Sequence, residues 1–68
     1  MFKKTYIIVL ETEEEVYRLM KVAFKHSLYA TYKIGVYGTE RQHELYIRGN
    51  ILSYYKFMHE VNRAKDEG

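Results

Sequence analysis

Residues 30–48, ATYKIGVYGTERQHELYIR, decide how this chain folds. From about Ala30 to Tyr37 the side chains alternate, with Tyr32, Ile34 and Val36 on one side and Thr31, Lys33, Gly35 and Tyr37 on the other. A period of two is the signature of a strand. Gly38 to Gln42 is polar and predicts a loop of about five residues. The alternation then resumes, with Leu45 and Ile47 on one side and Glu44, Tyr46 and Arg48 on the other, until Gly49 ends it. Two alternating runs joined by a short polar stretch make an antiparallel hairpin.

Upstream of the hairpin, residues 2–10 hold Tyr6, Ile7, Ile8, Val9 and Leu10 in succession, a run of β-formers too short for a helix. Thr12, with Glu15 three residues on, forms a capping box, and three consecutive acids follow where a helix dipole favours them. Val16, Leu19, Met20, Ala23, Phe24 and Ser27 then recur at the helical period, with Arg18, Lys21 and Lys25 opposite. Downstream, Asn50 is a suitable N-cap, and Ile51, Tyr54, Phe57, Met58, Val61 and Ala64 share one arc of a last helix, fraying over 65–68. The order is βαββα over a single domain, residues 1–68, without repeats or linkers.

A strand, a helix and a returning strand in one sheet give a crossover, and the hairpin then lays the third strand between the first two. The expected fold class is α+β: a two-layer sandwich with a three-stranded antiparallel sheet in the order 1-3-2 and two helices on one face. This topology resembles a ferredoxin-like fold without its fourth strand. That strand would pair with the first, so the first strand is expected to be a bare edge, which soluble proteins normally cover. It is also apolar on both sides. If Phe2, Tyr6, Ile8 and Leu10 face the helices, Ile7 and Val9 lie on the open face with Tyr37, Tyr46, Lys33 and Arg48. These last six are the candidate interaction residues.

Composition narrows the chemistry. The 68 residues include 8 Tyr and no Cys, Pro or Trp, which removes disulfides and thiolate metal sites and agrees with a cytoplasmic, reducing setting. A chain this short buries only about 60% of its unfolded surface, so a partner subunit would help to stabilise it. The longest uncharged apolar run, Tyr6 to Leu10, is far short of a membrane span, and no membrane partner is expected. Net charge is +2, but Glu11, Glu13, Glu14 and Glu15 lie together, whereas Val16 to Lys65 carries nine Lys/Arg against three acids. The body is moderately basic, which permits nucleic acid without requiring it.

No catalytic constellation stands out. Ser27 and Ser53 both fall in helices, and the lone aspartate, Asp66, lies in the tail. His43-Glu44 and His59-Glu60 are adjacent pairs that point apart and cannot chelate one ion, and no HExxH spacing exists. His26, near the end of the first helix, suits the dipole there. The chain is therefore expected to be no enzyme, with no cofactor, no metal and no small-molecule substrate.

Two local patterns resemble known families. Gly35-Val36-Tyr37 and, eight residues later, Tyr46-Ile47-Arg48-Gly49 are similar to the hairpin of GIY-YIG nucleases, in which two tyrosines work with a helix arginine and a metal-binding glutamate. The likeness covers about fifteen residues, and it departs where Arg48 precedes Gly49 and where Tyr55, Lys56, Phe57 and Met58 occupy the arginine's region. The strand order resembles RRM domains, which stack bases on aromatics of their first and third strands. Tyr6 or Ile7 and Tyr46 stand at the analogous places, without the RNP1 consensus.

The expectation is a small non-enzymatic interaction protein, homodimeric through the first strand or the open face, that binds and modulates a protein partner. By analogy of class it resembles inhibitors and accessory proteins of phages and other compact genomes. A single-stranded RNA- or DNA-binding face is the alternative, and a degenerate GIY-YIG-like nuclease a remote one.

Overall fold

The computed structural model describes residues 3–67, and the side chains of 3–64. Phe2, grouped above with the helix-facing residues, lies outside the described residues. The elements are β1 (Lys3–Leu10), α1 (Glu13–Lys25), β2 (Tyr29–Tyr37), β3 (Glu40–Asn50) and α2 (Ile51–Glu67). The strands form one sheet in the order β1-β3-β2, and both neighbours run antiparallel to β3. β1 and β2 are therefore parallel to each other with β3 between them, and each forms an edge.

One face of the sheet makes the core. Ala30, Leu45 and Ile47 meet Val16, Leu19 and Ala23 of α1, Phe57 of α2 and Leu28 of the connection that follows α1. Each large apolar side chain buried here contributes roughly 1.5–3 kcal/mol. Tyr6 of β1 stacks flat on Tyr54 of α2 at 3.5 Å, while Tyr17 of α1 meets Tyr32 of β2 edge-on at 5.8 Å. Tyr6 thus faces the helices, and of the two first-strand residues compared with an RRM only Ile7 reaches the open face.

The α1 start follows its capping sequence, with Thr12 extended and its Oγ1 accepting from the Glu15 N–H at 3.2 Å. The C-terminus departs from the helical period. α1 stops at Lys25, and Ser27 takes φ +61°, with the Ser27 N–H bonded to the Phe24 carbonyl and the Leu28 N–H to that of Ala23. This is a Schellman cap, made here by a serine in the left-handed region where glycine is usual. It turns the chain so that Leu28, not Ser27, enters the core, and it leaves Phe24 exposed.

The hairpin is also tighter than its composition suggests. Tyr37 pairs with Glu40, so the loop is Gly38 and Thr39 alone, not five residues. Gly38, at φ +67°, supplies the positive angle a two-residue hairpin turn requires at its first position. Arg41, Gln42 and His43 join β3 despite their polarity because this end of the hairpin runs past the helices. Ile34 and Val36 point to the helix side as expected, yet for the same reason both are exposed. β3 runs through Gly49 into Asn50, whose Oδ1 accepts from the Leu52 N–H at 2.8 Å and caps α2. Any side chain on Gly49 would strike Leu28, a Cβ there lying 2.6 Å from its Cδ2. α2 extends to Glu67, and the side chains from Lys65 onward lie outside the described residues. Among the described residues no helix is long and apolar enough to cross a membrane.

Candidate functional site

The open face is set by register. Thr5–Arg48–Tyr29, Ile7–Tyr46–Thr31 and Val9–Glu44–Lys33 form three rows across the sheet, and Gly35 and Tyr37 continue the β2 column. Alternation along each strand puts all of these on the side away from the helices. The six residues singled out in the sequence, Ile7, Val9, Lys33, Tyr37, Tyr46 and Arg48, share this face. Ile7 and Val9 remain 58% and 52% exposed, and Tyr37 and Tyr29 are exposed beside them.

At the centre lies Glu44, a carboxylate only 8% exposed on an otherwise open surface. Tyr37 donates its hydroxyl to Glu44 Oε2 at 2.8 Å, and Tyr46 donates to Oε1 at 3.2 Å. Both carboxylate oxygens are occupied, which is what makes a buried charge tolerable. The bond to Glu44, and then its charge, push the Tyr37 phenol above its ordinary pKa, and Tyr46 is raised by the same bond first and by desolvation next. The Lys33 ammonium sits 5.0 Å from the centre of the Tyr46 ring, a cation–π distance.

Gly35 makes this arrangement possible. A Cβ on it would lie 2.7 Å from Glu44 Oε2 and 2.7 Å from Tyr37 Cε2. Tyr37 can fold back along its own strand over position 35 only because that position carries no side chain. The sequence places Glu44 on this face but offers no sign that it is the buried hub. The available signal was a glycine two residues before a tyrosine, in a strand whose next neighbour carries a glutamate.

The helix side holds two further concavities. A groove of about 380 Å³ is floored by Ile8 and Leu10 and walled by Leu19 and Val22 of α1 and Met58 and Val61 of α2. A shallower cleft of about 540 Å³ is lined by His26, Tyr55, Lys56, His59, Glu60 and Arg63. In that cleft His26 Nε2 bonds Glu60 at 3.0 Å, and Lys25 joins the same carboxylate at 3.2 Å. These two contacts, His26 first, hold the Glu60 carboxyl below its ordinary pKa. His43 bonds the Tyr32 hydroxyl. Among the described residues no cluster of three or more His, Asp or Glu is placed to hold a metal ion.

Tyr37 and Tyr46, the tyrosines of the GIY-YIG-like hairpin, do meet through Glu44. Glu60 and Arg63 lie on α2, behind the opposite face, so the sheet separates them from the tyrosine pair. A scan against protein-family models, a search of curated proteins and a search of solved structures each found no match to this chain.

Proposed function

We propose that this chain is a small, non-enzymatic interaction protein that binds another protein through the open face of its sheet. The observation that carries this reading is the Glu44 hub. Tyr37 and Tyr46 have their polar ends turned inward and satisfied, so their rings stand fixed on the surface next to exposed Ile7 and Val9. Aromatic anchors held in place before binding lose little side-chain freedom on association, and aromatics beside aliphatics form the centre of many protein interfaces.

The charges on this face favour protein over single-stranded nucleic acid. Lys33 is engaged with the Tyr46 ring, and Glu44 lies beneath the two tyrosines. A base stacking on Tyr46 would have to displace Lys33 and approach a carboxylate. Lys33 and Arg48, with Lys3 at the margin, offer two or three phosphate contacts, which support only weak binding with a shallow salt slope.

The test is capture from the source cell with tagged protein, with and without nuclease treatment, comparing wild type with Ile7→Lys and Tyr46→Ala. The proposal requires a protein that survives nuclease treatment and is lost with both variants while their circular dichroism stays native. A partner that disappears on nuclease treatment, or tight and salt-dependent oligonucleotide binding abolished by Tyr46→Ala, would reverse it in favour of nucleic acid.

A further inference from the structure

We infer that the outer edge of β1 pairs with β1 of a second copy, antiparallel about a two-fold axis at Ile7, so that residue i stands opposite residue 14 − i and two sheets join into one of six strands. This extends the open-face reading without resting on it.

Within the sheet β1 pairs with β3 alone, and no backbone bond outside that ladder involves a β1 residue among the described ones. Its outward N–H and C=O groups offer a second ladder. A two-fold axis that keeps both helical layers on one side pairs open-face residues with open-face residues, so the two residue numbers in each pair must sum to an even value. Three such registers are close to centred on the strand. Centring on Tyr6 sets Lys3 and Lys4 against Val9 and Ile8 of the second copy. Centring on Ile8 shortens the ladder and runs Lys3 and Lys4 out against Glu13 and Thr12, which belong to α1 and its cap.

Centring on Ile7 gives a ladder as long as the one centred on Tyr6, and of the three registers it alone sets opposite charges against each other across the start of β1 and the residue just past its end. Lys3 faces Glu11 of the second copy at both ends, and Thr5 faces Val9. Lys3 and Glu11 are exposed and form no salt bridge among the described residues. On the helix side Tyr6 and Lys4 of the second copy lie against Ile8 and Leu10, the residues that floor the apolar groove. On the open side Ile7 and Val9 of both copies become one continuous apolar strip, flanked by the Glu44 hub of each.

The register is tested by complementary charge reversal at low salt, where exposed pairs are least screened. Lys3→Glu alone places like charges at both ends of the dimer, and so does Glu11→Lys alone. An equimolar mixture of the two restores both opposite pairs in the heterodimer. Two exposed ion pairs turned repulsive should weaken self-association about tenfold in each single variant. The mixture should recover to within about threefold of wild type by sedimentation equilibrium. Both positions are exposed, and circular dichroism confirms that the variants fold. A wild type that stays monomeric at about 100 µM overturns the inference, a concentration at which edge pairing with this much apolar contact should be populated. So does a mixture that associates no better than the single variants, or single variants that associate like wild type. None of these outcomes touches the capture of a protein by the open face, which is read separately.

Discussion

The two edges of this sheet are built from similar lengths of strand and are defended differently. β2 carries Lys33 at its middle, flanked by Gly35 and by a hairpin end that leaves the cover of the helices. Pairing β2 with a copy of itself about that centre would bring two ammonium groups together. A mid-strand lysine is a common guard of sheet edges. β1 carries its charges only at the start, Lys3 and Lys4, and then runs apolar or aromatic from Tyr6 to Leu10. The difference teaches that exposure alone does not mark an interface. Both edges are exposed, and only β1 combines free backbone groups, an apolar run and a basic start with an acid, Glu11, just past its end.

The largest effect expected from breaking this contrast is at Ile7. Ile7→Lys puts two ammonium groups face to face on the axis and removes two aliphatic contacts, and self-association should weaken by at least about a hundredfold. Sedimentation velocity should show a folded monomer. The converse substitution, Lys33→Ile, removes the guard of β2, and species larger than a dimer should appear at concentrations where wild type should stop at two copies. Light scattering distinguishes the two.

A smaller effect sharpens the comparison from the β2 side, where the hub rather than the edge organises the surface. Gly35→Ala should keep the fold while unseating Tyr37 from Glu44, because the obstructing atoms are side-chain ends that can move. Glu44→Gln removes the carboxylate whose hydrogen bonds, and after them its charge, raise both phenols. In either variant the raised phenols of the hub should shift down toward the ordinary range in an ultraviolet pH titration, Glu44→Gln affecting Tyr37 and Tyr46 together. Self-association through β1 should change by less than about threefold, since neither residue meets the second copy.

The smallest effect lies on the helix side. Because His26 and Lys25 hold the Glu60 carboxyl below its ordinary range, this group adds stability above that range and loses it as pH falls through its lowered folded value. Glu60→Gln should therefore lower stability slightly near neutrality and converge on wild type at the acid end, which flattens the acid limb by the small amount expected for an exposed pair. Thermal melts between pH 3 and pH 7 read this.

Where local pattern and tertiary contact agreed, the fold was legible in the sequence. The alternation of Leu45 and Ile47 against Glu44 and Tyr46 placed the central strand and both its faces, and that in turn put Ile7, Val9, Tyr37 and Lys33 together. Legibility failed where an element ran beyond its packing partners. The distal hairpin is polar because it leaves the helices behind, so Arg41 and Gln42 looked like a loop while being strand. At the end of α1, Ser27 kept the helical period, but the burial of Leu28 against Gly49 required the chain to turn there. The Glu44 hub was hidden for another reason. A carboxylate becomes buried on an open face only through the way two tyrosines lie over it, and that depends on which residue pairs with which.

Backbone amide hydrogen exchange, followed by NMR at low and high protein concentration, tests the contrast between the edges most directly. The outward-facing amides of Lys3–Leu10 should gain protection as concentration rises, while those on the outer edge of Tyr29–Tyr37 exchange at the same rate throughout. Equal and concentration-independent exchange at both edges, or protection that appears on β2 instead, would contradict the account.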